Sequence, residues 1–258
     1  MERFMDTIEA KRIHIRFTRA LSSYDSNADA QHLISRKLAS LLPHRGDVHY
    51  RRMLEIGCGT GGFTKALQQQ PCRIDEWVLN DLCEGCREKV SRLFPDVPPH
   101  FIAGDAEMTT FPGRFDLIAS ASAFQWMKDM ERSLHKLADR LLPGGILLFS
   151  TFVPGNLREI KELTGRGLDY PSSSELAKWL STDFELVHYE EETISLTFNT
   201  PMDVLRHLKA TGVTATGHSL WTRGMQATFC KRYSERFSTI DNQVTLTYRP
   251  LYMLAVKK

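Results

Sequence analysis

The stretch Met53-Leu54-Glu55-Ile56-Gly57-Cys58-Gly59-Thr60-Gly61-Gly62 constrains this chain more than any other. A run that is apolar except for Glu55 leads into a loop with four glycines, and a helical pattern follows from Phe63 to Gln69. The order predicts strand, tight loop, helix. Glycines let the backbone turn sharply and approach a ligand with no Cβ in the way. The loop ends at a helix N-terminus, whose N–H groups and dipole attract negative charge. A glycine-rich turn that holds nothing is the plainer alternative, but strand, loop and helix all occur in order.

Two ligands use such a loop. The glycines satisfy G-x-G-x-x-G, so they do not by themselves separate NAD from S-adenosylmethionine. Glu55 favours the second. A carboxylate at the end of the strand would repel a pyrophosphate, whereas S-adenosylmethionine carries an ammonium and a sulfonium that it can anchor, directly or through water.

The rest of the first 152 residues repeats strand and helix, which requires a parallel sheet with right-handed crossovers. Two helices are predicted before the first strand, broken around Ser22 to Asn27, with Pro43 to Asp47 ending the second. Such a segment can lie over the glycine loop as a lid, carrying Tyr24 and Gln31; Tyr24 reads equally as a half-buried aromatic. Trp77 to Asp81 is a second strand ending in an acid roughly 20 residues past the loop, where these folds set a carboxylate on ribose hydroxyls. Asp81 can at the same time cap the next helix, read over Cys83 to Phe94. Phe101 to Ala103 is a short strand followed by Gly104-Asp105-Ala106-Glu107, where Asp105 can bond an adenine amino group or cap a turn. Arg114 to Ser120 is a strand buried on both faces, running into Ala121-Ser122-Ala123-Phe124-Gln125-Trp126. Trp126 can wall a reaction centre or pack the next helix. That helix is read over Met130 to Leu142 and stopped by Pro143-Gly144-Gly145 before a fifth strand over Ile146 to Phe152.

Beyond Phe152 the pattern changes. Helices are predicted over Asn156 to Leu163, Ser173 to Leu180, Pro201 to Ala210 and Trp221 to Phe237, with long strands over Glu185 to Phe198 and Val244 to Val256. Two long strands so late suggest an edge hairpin with one antiparallel strand. The helices between them read as an insertion over the substrate side.

Bulk properties exclude several classes. The 258 residues suit one large domain, without an apolar run near the roughly 20 residues of a membrane span. The N-terminus has no apolar signal-peptide core, and five cysteines fit a reducing compartment, so a cytoplasmic protein is expected. Cys83 and Cys86 form a single C-x-x-C with no second pair, which reads as incidental rather than metal-binding, and no metal site is expected. A net charge of +2 is too small to argue for nucleic acid and leaves room for a local basic face.

Leu54 to Gly61 resembles the glycine motif of class I S-adenosylmethionine-dependent methyltransferases. Nearly the whole chain is similar to the malonyl-[acyl-carrier protein] O-methyltransferase family of biotin synthesis. The resemblance is carried by Arg16-Phe17-Thr18-Arg19-Ala20, Tyr24-Asp25, Ala30-Gln31, Ala103 to Glu107, Ser120 to Trp126, Leu205-Arg206-His207-Leu208-Lys209 with Thr211-Gly212-Val213, and Leu246-Thr247-Tyr248. Two features depart: Leu79-Asn80-Asp81-Leu82-Cys83 stands where the family usually has Asp-Leu-Ser, and His207 stands where many members have a small residue.

The resemblance implies a Rossmann-like α/β fold. Its expected sheet is mostly parallel and seven-stranded with an antiparallel edge strand, a helical lid over residues 1–50, a cofactor core over 51–152 and substrate-side elements over 153–258. It implies Tyr24, Gln125 and Trp126 around the reacting groups. Tyr24, Gln31, Glu55, Gly57, Cys58, Gly59, Asp81, Leu82, Asp105, Ala106, Ser120 and Ala121 are then the cofactor contacts. The acceptor would be the free carboxylate of a malonyl thioester on acyl carrier protein or CoA. A carboxylate is ionised at neutral pH, so no general base is required. An arginine should steer it, with Arg158, Arg206 and Arg223 as candidates. A carrier protein is acidic, and Arg206, Lys209, Arg223 and Arg232 offer it a basic face, or merely a solvated one. The rivals are a methyltransferase of another small carboxylic acid such as aconitate, an NAD-dependent oxidoreductase, and a module that binds S-adenosylmethionine without turnover.

Overall fold

The computed structural model describes residues 14–43, 48–213 and 222–258. The predicted start of a helix at Trp221, and most of the Pro43 to Asp47 stop, lie outside them.

Seven strands form one sheet in the order β3-β2-β1-β4-β5-β9-β6. They are β1 (Val48–Ile56), β2 (Cys72–Asp81), β3 (His100–Ala103), β4 (Phe115–Ala121), β5 (Leu141–Phe152), β6 (Phe184–Glu191) and β9 (Pro250–Lys257). The first five are mutually parallel. β9 runs antiparallel to both of its neighbours. It therefore lies one place in from the edge, and β6 takes the edge position expected of it.

Helices cover both faces, so the central strands are apolar on both. Adjacent residues serve opposite cores: Met53, Leu117, Leu148 and Tyr252 pack on one side, Leu54, Ile118, Leu147 and Met253 on the other. Each fully buried side chain of this size contributes about 2 kcal/mol. The helices are α1 (Asp29–Ser40), α2 (Gly62–Gln68), α3 (Cys86–Ser91), α4 (Met130–Ala138), α5 (Arg158–Thr164), α6 (Ser173–Leu180), α7 (Pro201–Ala210) and α8 (Arg223–Phe237). Residues 14–20 are also helical. No helix among the described residues is long and apolar enough to cross a membrane.

Three boundaries differ from the sequence reading, each for a backbone reason. The long strand over Glu185 to Phe198 breaks at Glu192-Thr193 into β6 and β7 (Ile194–Phe198). The strand over Val244 to Val256 breaks at Arg249 into β8 (Val244–Tyr248) and β9. Pro250 cannot donate to a ladder and marks the kink; its carbonyl accepts from the Glu192 N–H at 2.9 Å, so the two breaks face each other. β7 and β8 leave the main sheet as a separate antiparallel pair. Pro143-Gly144-Gly145 does not end a helix. α4 stops at Ala138, and the segment forms a bulge inside β5, where the pairing with β4 jumps between Leu141 and Ile146.

Candidate active site

β1 enters the sheet in the middle. The chain then builds outward on one side through β2 and β3, and returns to β4 and β5 on the other. The carboxyl ends of β1 and β4 therefore flank the point where helices depart to opposite faces, which is where such sheets hold ligands.

The loop leaving β1 has Gly57, Gly59 and Gly61 at φ of +69°, +54° and +90°, conformations that glycine adopts without strain. A Cβ on Gly57 would stand 2.4 Å from the Ala123 Cβ, so this turn packs directly against the segment leaving β4. A Cβ on Gly59 would meet nothing within 4 Å, which leaves an open cradle above the loop. Cys58 is buried between these glycines, and its N–H donates to the Asn80 carbonyl at 3.0 Å.

Glu55 is 1% exposed. Its Oε2 accepts from Thr64 Oγ1 at 2.7 Å, while Oε1 has no partner among the described residues. Burial pushes its pKa up to about 8; the Thr64 hydroxyl opposes the rise and the Asp81 charge adds to it. A buried carboxyl with one unsatisfied oxygen beside a glycine cradle fits a cationic ligand, and S-adenosylmethionine is one. Thr64 was not singled out from the sequence. The available signal was a polar residue inside the otherwise apolar buried stripe of α2.

Asp81 ends β2. Its Oδ2 accepts from the Gly59 N–H and its Oδ1 from the Cys83 N–H, each at 2.8 Å. Burial raises its pKa and these N–H groups oppose the rise. The residue therefore ties the glycine loop to β2 and caps the turn after it, with Leu82 partly buried beside it. Asp105 Oδ1 accepts from the Glu107 N–H at 2.9 Å, and its carbonyl accepts from Thr109 Oγ1 at 2.7 Å, so Asp105 does cap a turn. Ala106 packs against the core on one face of the sheet.

On the β4 side, Ser120 is fully buried and its hydroxyl donates to the Ile56 carbonyl at 2.9 Å, strapping β4 to β1. After Ala121 comes Ser122, a non-glycine residue at φ +53° whose buried hydroxyl has no partner among the described residues. Such a conformation is costly and persists where the surroundings fix it; here the Ser122 N–H is held by the Ser150 carbonyl at 3.1 Å. Gln125 and Trp126 lie in a short 3-10 turn. Gln125 donates back to the Ser122 carbonyl and leaves its Oε1 unpartnered among the described residues.

The N-terminal segment roofs this region. The Phe17 ring meets Trp126 edge-on at 5.6 Å. Thr60 Oγ1 donates to Asp25 Oδ1, latching the segment to the glycine loop. The Tyr24 phenol is raised above its ordinary pKa by burial first, then by the charges of Asp25 and Asp81, so it lies among the loop carboxylates. Gln31 is buried on α1 with an unpartnered Oε1.

The basic residues lie elsewhere. Arg158 is largely exposed, 3.8 Å from Glu159. Arg206 pairs with Asp203, and Lys209, Arg223 and Arg232 are exposed on α7 and α8. All five cysteines are free thiols, and no three His, Cys, Asp or Glu among the described residues are grouped to hold a metal.

A family model described as "Methyltransferase domain" matches residues 54–149, the span from the glycine loop through β5. The N-methyltransferase NodS of Bradyrhizobium japonicum, solved in complex with S-adenosyl-L-homocysteine, shares the fold at 15% identity and a TM-score of 0.56, over 95% of this chain and 98% of that one. The malonyl-[acyl-carrier protein] O-methyltransferase of Porphyromonas gingivalis is 49% identical over 250 residues, 96% of each chain. The protein of the same name from Haemophilus ducreyi is 42% identical over 94% of this chain and 95% of its own. Identity of that order over 94% or more of this chain leaves one placement: the chain belongs to the malonyl-[acyl-carrier protein] O-methyltransferase family.

Proposed function

We propose that this chain methylates the free carboxylate of malonyl-acyl-carrier protein with S-adenosylmethionine, giving the malonyl methyl ester that primes pimeloyl synthesis for biotin. The observation that carries the donor half is the unsatisfied, buried Glu55 carboxyl beside an open glycine cradle. The acceptor half is supported by what the near full-length relatives are named to act on.

S-adenosylmethionine, when bound, supplies a sulfonium methyl: the substrate carboxylate oxygen forms the new O–C bond as the C–S bond breaks with its electron pair left on sulfur, and no proton moves. In this reading Glu55 holds the positively charged end, Gly57, Cys58 and Gly59 give the backbone approach, and Asp81 and Leu82 flank the ribose. Asp105 and Ala106 border the adenine, while Ser120 and Ala121 keep the β4 side open. Tyr24 and Gln31 close the lid, and Trp126 with Gln125 walls the reacting groups. The chain's contribution is alignment and exclusion of water rather than proton transfer. Residues up to about 50 then act as lid, 51–152 as the cofactor core and 153–258 as the acceptor side of one domain, working in the cytoplasm without a metal.

The test is transfer of isotope-labelled methyl from S-adenosylmethionine to malonyl-acyl-carrier protein, malonyl-CoA and aconitate, with restoration of biotin-free growth as the cellular readout. Base-labile label on the malonyl thioester is expected. Label on aconitate alone, or calorimetric binding of NAD in place of S-adenosylmethionine, overturns the reading.

A further inference from the structure

Tyr248 ends β8 and is 1% exposed. His207, on α7, is also buried, and its Nε2 lies 2.8 Å from the Tyr248 hydroxyl. The His207 ring packs on Phe198, with centroids 5.1 Å apart. Gln31, on α1, is 9% exposed and hydrogen-bonds the same hydroxyl. Its Oε1 has no partner among the described residues, so that bond comes from Nε2. Three elements remote in sequence thus converge on one buried oxygen.

One assignment of protons satisfies these contacts. Burial holds the His207 pKa below its ordinary value, with Asp29 opposing, so the ring is neutral and one of its nitrogens is bare. A phenol has one proton to give. If His207 Nε2 were the donor, the buried Tyr248 proton would have no acceptor among the described residues, a costly arrangement. Tyr248 therefore donates to Nε2, and the ring proton of His207 sits on Nδ1. With its proton spent, Tyr248 meets Gln31 only as an acceptor. The amide must show it the NH2 and turn the carbonyl away. Without the His207 acceptor the Tyr248 proton would go to the Gln31 carbonyl, and the NH2 would face out instead.

Gln31 belongs to the layer that carries the glycine loop. α1 packs on α2, the helix leaving that loop. The next residue, His32, has its Nδ1 3.6 Å from where a Cβ on Gly62 would stand. Ala30 and Tyr248 share one core with Met53 and Phe63. Glu55, two residues past Met53, faces that same side of β1, and its Oε1 is likewise unpartnered among the described residues. Two open acceptors on one face, a carboxyl and an amide carbonyl, suit a cation that carries several N–H groups. We infer that His207 is a positioning residue for the cofactor: by taking the Tyr248 proton it sets the carbonyl of Gln31, rather than its NH2, toward the ammonium of S-adenosylmethionine. This rests on the proposed function and adds to it a residue that acts through two others. An NH2 turned the same way would set donor against donor.

The experiment measures, by calorimetry at fixed pH on the full chain, affinity for S-adenosyl-L-homocysteine and for methylthioadenosine, the same nucleoside thioether without the amino-acid end. His207→Leu should weaken S-adenosyl-L-homocysteine about tenfold or more, because the freed Tyr248 proton turns the amide over. His207→Gln keeps an acceptor near the Nε2 position and should stay within about threefold of wild type. Adding Tyr248→Phe to His207→Leu removes that proton, and should restore part of the loss, to about threefold below wild type. Methylthioadenosine should bind all three variants within about twofold of wild type. Nitrogen NMR of the free chain should show His207 Nε2 unprotonated. Unchanged affinity in His207→Leu overturns the positioning role. So does a double variant as weak as His207→Leu, an equal loss of methylthioadenosine, or a protonated Nε2. A wild-type chain that does not bind S-adenosyl-L-homocysteine is a different failure, of the proposed function itself, and takes this inference with it.

Discussion

On the proposed function, Glu55 makes the S-adenosylmethionine site a proton-linked site, and the linkage can be read in two ways. With its pKa pushed up to about 8 by burial, the carboxyl is protonated over most of the neutral range when no cation lies beside it. A bound ammonium requires the ionised form. Well below about 8, each pH unit therefore costs about tenfold in apparent affinity for S-adenosylmethionine, and the loss between pH 8 and pH 6 is about 50-fold. Above about 8 the affinity should level off.

Stability moves in the opposite sense. The folded-state pKa lies above the ordinary value of 4.5, so between 4.5 and about 8 the native state holds a proton that the unfolded chain has lost. The stabilisation tied to that proton is complete below 4.5 and is gone once pH passes about 8. At about 1.4 kcal/mol per pH unit the swing has a ceiling of roughly 4–5 kcal/mol. Glu55→Gln stays neutral and can keep the Thr64 hydrogen bond. It should match wild type in urea unfolding near pH 5 and exceed it by a few kcal/mol at pH 9. Its affinity for S-adenosylmethionine at pH 8 should fall 10- to 100-fold and lose its pH slope. Calorimetric titrations from pH 6 to 9 on both proteins check this. A slope that persists in Glu55→Gln, or equal stability of the two at pH 9, refutes the reasoning.

Four further outcomes follow. Gly57→Ala, at φ +69° with the Ala123 Cβ 2.4 Å away, should destabilise by about 2–3 kcal/mol in urea melts. Gly59→Ala meets no atom within 4 Å, so it should cost only about 1 kcal/mol in stability while weakening S-adenosylmethionine binding at least tenfold. Asp25→Ala removes the exposed acceptor of the Thr60 hydroxyl and should raise the dissociation constant of S-adenosylmethionine about threefold with little change in unfolding midpoint, since surface polar contacts add little to stability. Charge reversal at Lys209 and Arg232 together should weaken carrier-protein binding about tenfold at low salt and less at high salt, with turnover of malonyl-CoA unchanged.

The two halves of the molecule differ in how much of them the sequence reveals, and the reason lies in their topology. In the parallel half, the residues proposed on the cofactor side, Tyr24 and Gln31 apart, sit at or just past the carboxyl end of a strand, and a strand end is a local event marked by glycine, an acid or a small residue. Glu55, Asp81 and Asp105 could be placed from a few neighbours each. What local pattern could not supply was the partner across the fold, as with Thr64 on Glu55 or Asp25 on Thr60. Nor did it show that Asp81 spends both oxygens on backbone N–H groups.

The acceptor half has no such markers. Its strands were read as two long runs because β-propensity continues across Glu192 and Arg249. Only Pro250 hinted that the chain changes sheets there. Asn156, just before α5, donates to the Tyr170 hydroxyl in the loop after it, and accepts from the N–H of Arg249, between β8 and β9, across 93 residues. Among the arginines, sequence favoured those on regular helices, where periodicity can be seen. Arg158 and Arg206 instead face solvent or a neighbouring acid. On the proposed function, the donor half can stay common to many methyltransferases while the later elements set which acid enters.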